Sequence, residues 1–222
     1  MSLIKALPFM TYTVLHGSLA YKQQIIIFSG QNYSPAIAIP FLMVACGGLL
    51  DNVRLAMGAL RGPAGASLQL ADLCFFLHYV IVPLTFTSLA YIAVGMLQGY
   101  DWLMTGSYLL TAAFVVHGLV TYHGKVAGNY ALSLEGGIAK WTVDRSKVKV
   151  TFDMILPVML IGLFGVIVGA IGWWQRGWAW LFFLQLAGFL GQAMVPSMKA
   201  GGMYLSNFLE VVFLASMMAT QI

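Results

Sequence analysis

Residues 155–174 read ILPVMLIGLFGVIVGAIGWW, a stretch without a single charged side chain. An α-helix rises about 1.5 Å per residue, so about 20 apolar residues cross the hydrocarbon core of a bilayer. Six further stretches of similar character lie along the 222-residue chain. The predicted spans are 6–28, 36–59, 73–97, 102–122, 152–174, 178–198 and 200–222. The sequence therefore predicts an all-α fold, a polytopic transmembrane helix bundle in which residues 1–222 form a single domain.

The composition agrees with this class of protein. Hydrophobic residues make up 60% of the chain and charged residues 8%, and the mean hydropathy is +0.87. A soluble domain carries about a quarter charged residues, so we expect much of the surface to face the lipid bilayer. The net charge is +4. The basic residues lie in short loops between spans, where the topology of membrane insertion explains them. We therefore exclude nucleic acid as a partner and predict a multi-pass protein of the bacterial inner membrane, an organelle or another cellular membrane.

The first predicted span is ambiguous. Lys22, Gln23 and Gln24 interrupt its apolar run. It is either a true span or a shorter helix that lies in the membrane interface.

Lysines and arginines predict the orientation, because loops on the inner side of a membrane are enriched in them. The loop at 123–151 contains more basic than acidic residues, namely Lys125, Lys140, Arg145, Lys147 and Lys149 against Glu135 and Asp144. We therefore expect this loop on the inner side. With seven spans, Lys5, Arg61 and Lys199 fall on the same side. The N-terminus is then inside and the C-terminus outside.

Most polar residues within the predicted spans fall in the inner halves of those spans. In the second span, Gly47, Asp51, Arg54 and Gly58 recur at helical spacing and should face the bundle. Asp51 and Arg54 are three residues apart and can pair along the helix. One interpretation is a structural ion pair. The other is a polar pocket for a small solute or ion, with Asp51, Asn52, Arg54, Asn207 and Glu210 as the binding residues.

Glu210 in the last span has no basic neighbour within one helical turn. A carboxylate at that depth either holds a proton or pairs with a group on another helix, and Arg54 has the right depth. A structural pair between Arg54 and Glu210 and a proton- or cation-coupled role for Glu210 are therefore both open. The second role favours a transporter or channel-like protein.

His78 and His117 lie at similar depth on consecutive spans. Two such histidines suit the axial positions of a haem, or separate chlorophyll magnesium ions; otherwise they are ordinary hydrogen-bonded residues. The alternative function is thus a haem- or chlorophyll-binding subunit, or a structural subunit, of a larger membrane complex. A homo-oligomer is the other expected assembly. No zinc-ligand spacing, Walker motif, nucleophile elbow or dinucleotide fingerprint occurs, so we predict neither catalytic residues nor a separate metal site.

Small residues predict one helix contact. Gly162, Gly165, Gly169 and Gly172 follow the spacing at which a neighbouring helix can approach the backbone closely. We expect a second helix to pack on this seam.

The run Leu49-Leu50-Asp51-Asn52-Val53-Arg54-Leu55-Ala56-Met57-Gly58, followed by Leu77-His78 and Pro83, resembles a stretch in uncharacterised multi-pass membrane proteins of bacteria and algae. The resemblance covers a small part of the chain. It implies a membrane protein and no particular activity.

Overall fold

The computed structural model describes residues 2–29, 35–97, 100, 102–194 and 201–221. Its helices are α1 (Leu3–Phe28), α2 (Pro35–Arg61), α3 (Leu68–Ile81), α4 (Thr85–Met96), α5 (Trp102–Thr121), α6 (Phe152–Arg176), α7 (Ala179–Met194) and α8 (Gly201–Met218). The predicted helical bundle is confirmed. Lys199, on which the predicted orientation partly depends, lies outside the described residues.

Among the described residues, five helices are long and apolar enough to cross a membrane: Ala38–Gly65, Leu68–Met96, Trp102–Val126, Phe152–Arg176 and Gly201–Met218. The Leu68–Met96 segment contains both α3 and α4, which a short 3-10 turn at Val82–Leu84 joins. Pro83 lies in that turn, where its missing N–H interrupts the regular helix. The bundle is therefore compatible with a multi-pass membrane protein. The count of seven spans and their orientation stay predictions.

A β-hairpin follows α5, which the sequence analysis did not predict. Strands β1 (Tyr130–Glu135) and β2 (Ile138–Val143) pair antiparallel, with Tyr130 opposite Val143 and Glu135 opposite Ile138. The connection is Gly136–Gly137, whose φ angles are 61° and 81°. Two-residue hairpin turns need positive φ, which glycine adopts without steric cost. The loop at 123–151 is therefore a folded element.

The hairpin packs on one end of the bundle, here called the hairpin end. Ile138 is completely buried against α1 and α2, in a cluster with Ala6, Phe9, Leu55 and Ala59. The Trp141 indole donates a hydrogen bond to the Ala66 carbonyl, 3.1 Å away, after α2. The Lys140 Nζ lies 3.3 Å from the Met203 sulfur in α8. One small hairpin therefore joins the ends of three helices that are far apart in the sequence.

Gly58 permits the closest contact between α2 and the hairpin. A Cβ at this position would overlap the Ala139 carbonyl group, which is backbone. We expect Gly58→Ala to displace the hairpin and to cost about 1–3 kcal/mol of stability, as overpacked positions do. The measurement is the rate of tryptic cleavage in the hairpin, which should rise.

Gly106→Ala is the matched control, because a Cβ at Gly106 meets no atom within 4 Å. Its cleavage rate should equal that of the unsubstituted protein. Equal cleavage rates for Gly58→Ala and Gly106→Ala would contradict the docking described above.

The predicted glycine seam of α6 is confirmed. A Cβ at Gly162 would meet the Phe189 ring, and one at Gly169 would meet the backbone of Phe182. Both neighbours lie in α7, which follows after a short turn. The absence of side chains along this seam lets the two helices approach closely.

The main core lies between α2, α4, α6 and α8. Leu89, Val168 and Leu214 have no exposed surface there. Polar groups within the bundle are joined in pairs across helices: Thr87 to Thr111 at 3.0 Å, and the Gln185 amide to the Ser216 hydroxyl at 2.6 Å. Such pairs satisfy side chains that would otherwise be costly away from water.

Candidate functional site

Polar side chains from α1, α2 and α8 meet at Gly48. A Cβ on Gly48 would overlap Nε2 of His16 and would lie 3.2 Å from Oε1 of Glu210. His16 has no exposed surface. The missing side chain at Gly48 therefore lets a histidine of α1 and a glutamate of α8 approach the same point on α2. We call His16, Asn52 and Glu210, which approach Gly48, together with Asp51 of α2 and Asn207 of α8, the polar site.

The His16 ring has a defined hydrogen-bond pattern. Its Nδ1 lies 2.9 Å from the carbonyl oxygen of Tyr12, and a carbonyl can only accept, so Nδ1 carries the hydrogen. In a neutral imidazole the other nitrogen then has a free lone pair. That nitrogen, Nε2, is buried and has no hydrogen-bond partner among the described residues. His16 therefore presents a proton acceptor to the polar site.

Asn52 contributes a second unpaired acceptor one turn along α2. Its amide nitrogen donates to the Gly48 carbonyl at 2.8 Å. Its Oδ1 is buried without a partner in the described part of the chain. Most buried polar atoms are hydrogen-bonded, so two unpaired acceptors this close together distinguish the polar site from ordinary packing.

Asp51 and Arg54 form the predicted ion pair. Arg54 Nη2 lies 2.6 Å and Nε 3.1 Å from the same carboxylate oxygen. Arg54 Nη1 donates to the Trp141 carbonyl at 3.0 Å, and the guanidinium lies 5.8 Å from the centre of the Phe75 ring. These contacts use all three nitrogens of the guanidinium and place one aromatic ring beside it. Arg54 thus connects Asp51 to the hairpin and is not oriented toward an anionic ligand.

The pair that was considered between Arg54 and Glu210 does not form. No lysine or arginine of the described residues pairs with Glu210. The charged group that acts on Glu210 is the Asp51 carboxylate, which also acts on His16. About one third of the Asp51 side chain is exposed.

The other predicted residue of α8 is Asn207, one turn before Glu210. It is 7% exposed, and its amide donates to the Met203 carbonyl at 2.8 Å. The predicted binding residues thus lie on α2 and α8. The sequence analysis missed His16, because α1 was the ambiguous span and its histidine lies near the middle of that helix.

The two histidines of the alternative interpretation face different neighbours. His117 Nε2 lies 3.0 Å from the Asp153 carbonyl of α6 and donates to it. His78 is exposed and contacts the ring of Tyr79. No hydrogen bond or ring contact joins His78 to His117 in the described ranges. In this structure His117 is therefore an ordinary hydrogen-bonded residue.

A second buried polar group lies between α3 and the hairpin. One oxygen of Asp72 accepts hydrogen bonds from the hydroxyls of Tyr122, at 2.6 Å, and Tyr130. Tyr130 also stacks on Phe75, with the ring centres 5.6 Å apart. The same phenylalanine lies under Arg54. Asp72 was not predicted as a site residue, because it lies one residue before the predicted third span.

Tyr130 provides a test of the hairpin's attachment. Burial, followed by its hydrogen bond to Asp72, raises the pKa of the Tyr130 phenol above its ordinary value of 10.0. A raised folded-state pKa stabilises the fold below the ordinary value, and that contribution is lost as the pH rises through the folded-state pKa. Stability should therefore fall in alkaline solution.

Tyr130→Phe removes both the hydrogen bond and the ionisable group. We expect it to lower stability by about 1–3 kcal/mol near neutral pH and to reduce the alkaline loss. Thermal unfolding in detergent at increasing pH measures both effects. Parallel alkaline curves for the two proteins would show that Tyr130 ionises as freely as an exposed tyrosine.

The two clefts with defined linings lie at the end opposite the hairpin. One of about 540 Å³ is lined by Met96, Leu97, Tyr100, Gln175 and Arg176, and a neighbouring one of about 180 Å³ extends to Trp178 and Thr220. Neither cleft includes a residue of the polar site. At the polar site, side chains of α1 and α8 are in close contact with α2 at Gly48.

Within the described ranges, no group of three or more histidine, cysteine, aspartate or glutamate side chains is arranged to hold a metal ion. Comparison of the chain with protein-family models, with curated proteins and with solved structures gives no match. The geometry of the polar site is therefore the basis for its chemistry.

Proposed function

We propose that this chain is a small membrane transport protein, a transporter or channel-like bundle, that carries a small cation through the polar site. The residues that carry this function are Asp51, Asn52, Asn207 and Glu210, together with His16. Arg54 holds Asp51 in place and connects it to the hairpin. The supporting observation is the convergence of His16 and Glu210 on Gly48 within the helix bundle.

The balance of charge favours a cation. Arg54 neutralises Asp51 through a 2.6 Å ion pair, whereas Glu210 has no basic partner among the described residues. Within the polar site, the buried atoms His16 Nε2 and Asn52 Oδ1 have no hydrogen-bond partner among the described residues, and both are acceptors. Intramembrane ionisable residues that face a bundle interior mark ion and proton pathways in many membrane proteins. An anion would find few free donors here.

Flux into liposomes tests the proposal. The full chain is reconstituted into proteoliposomes that enclose dyes for protons, sodium or potassium, and a gradient of each ion is applied in turn. We expect at least one gradient to drive flux above protein-free liposomes. Glu210→Gln should lower that flux about tenfold or more, which corresponds to about 1.4 kcal/mol in the barrier.

Glu135→Gln is the matched control, because it makes the same chemical change in the hairpin, where Glu135 pairs with Lys140 at 2.7 Å. Its flux should equal that of the unsubstituted protein. Absence of flux for all three ions, in liposomes that contain folded protein, would refute the proposed function.

A further inference from the structure

We infer that the polar site binds a proton, which Glu210 holds and shares with Nε2 of His16. This deepens the proposed function, on which it rests, by naming the cation. It also adds a residue, His16, that the sequence did not indicate. The geometry of donors and acceptors around Gly48 carries the inference.

Three observations support a proton shared by these two side chains. The His16 ring lies against Gly48 with its Nε2 edge, and Nε2 carries the lone pair because Nδ1 donates to the Tyr12 carbonyl. Glu210 Oε1 approaches the same glycine from α8. His16 Nε2 is buried and has no hydrogen-bond partner among the described residues. A protonated carboxyl group is a donor and a neutral imidazole nitrogen is an acceptor, so the two groups complement each other when Glu210 carries the proton.

The size of the site agrees with this ligand. The helices are in contact at Gly48, and no group arranged for a metal ion occurs among the described residues. A sodium or potassium ion would need several oxygen ligands around it, whereas a proton needs one donor and one acceptor, directly or through one water molecule. The proton therefore fits a contact in which Asn52 Oδ1 and His16 Nε2 are the unpaired acceptors.

The charged surroundings are limited to a few groups. From α2, Asp51 acts on both His16 and Glu210, and Arg54 pairs with Asp51. From α3, His78 lies within the electrostatic reach of Asp51. The helix α7, which packs on α8, has no titratable residue. Asp51 is therefore the carboxylate that acts on both members of the proposed proton pair.

The chain permits a direct spectroscopic test, since it contains two glutamates, Glu135 and Glu210. In Glu135→Gln, carbon-13-labelled glutamate reports on Glu210 alone. The full-length variant is placed in lipid nanodiscs, and infrared spectra are recorded over the pH range in which histidines and carboxylates titrate. We expect a labelled band of a protonated carboxylic acid that disappears as the pH rises.

His16→Leu in the same background tests the shared proton, because leucine has no hydrogen-bond acceptor. Loss of the imidazole acceptor should move the labelled carboxylic acid band to a higher frequency, a change that helix packing alone would not produce. Nitrogen-15 histidine spectra of the protein without a change at residue 16 give a second measurement. One histidine nitrogen should respond at the same pH as the labelled glutamate.

The outcomes separate the two proposals. A labelled glutamate that is ionised at every pH, or whose band and pH response are the same with and without His16, overturns the proton site. Sodium or potassium flux would then support the proposed transport function with a different cation. A shared proton in protein that gives no flux in liposomes would keep the proton site and refute transport.

Discussion

Arg54→Met should be the most destabilising substitution in the hairpin end, with an expected loss of about 2–4 kcal/mol. Removal of one member of a half-buried ion pair leaves the other charge without its partner. Here the substitution also removes the donor to the Trp141 carbonyl and the cation above Phe75. Three elements, namely α2, α3 and β2, lose a common contact. The measurement is unfolding in a denaturing detergent, followed by tryptophan fluorescence.

A double substitution distinguishes the effect of the uncompensated charge on stability from the effect of the lost contacts. Arg54→Met with Asp51→Asn removes the uncompensated carboxylate, so it should recover part of the stability that Arg54→Met loses. It should not recover the hairpin's protection from trypsin, since the bond to Trp141 is still missing. If Arg54→Met alone unfolds at the same detergent concentration as the unsubstituted protein, the Arg54 contacts contribute nothing to stability.

Gly48→Ala should separate α1 from α2 at the polar site. The added Cβ would overlap the His16 ring and approach Glu210 Oε1. His16 is completely buried, so its ring cannot move aside without displacing α1. Overpacking of this kind costs about 1–3 kcal/mol. We expect lower stability together with loss of any flux that depends on Glu210.

The adjacent glycine is a close control. A Cβ at Gly47 meets no atom within 4 Å, and alanine is favoured over glycine within helices by about 0.5–1 kcal/mol. Gly47→Ala should therefore be neutral or slightly stabilising. Equal effects of the two substitutions would mean that the α1–α2 contact at Gly48 is looser than the structure indicates.

The helices could be predicted because their cause is local. A run such as 155–174 has one stable form in lipid, an α-helix with its backbone groups paired internally. The glycine seam of α6 and the Asp51–Arg54 pair were predictable for the same reason, since each follows from spacing on one helix. The alternation of spans also predicted that Lys5 and Arg61 lie on the same side as the basic loop. In the structure, the chain segments that contain these two residues lie at the hairpin end.

The polar site could be predicted only in part. Asp51 and Glu210 stand out as charges in apolar runs, but the partner of each depends on which helices are neighbours, which no spacing encodes. Depth alone suggested Arg54 for Glu210. In the structure, Arg54 donates a hydrogen bond to the hairpin, which the sequence did not indicate. The residue that approaches Gly48 together with Glu210 is His16 of α1. The hairpin was not predicted, because its strands are short and because its basic residues are typical of an ordinary loop.

His16 and Glu210 belong to the first and the last helix of the described chain, and this separation affects how the protein is made. When α1 and α2 leave the ribosome, His16 and Asp51 can meet, but the carboxyl group that completes the polar site is still unsynthesised. The hairpin, which binds Arg54, is synthesised after α5, and α8 with Glu210 follows later still. A shortened chain that ends before α8 would therefore contain His16 and Asp51 without the carboxyl group that completes the polar site.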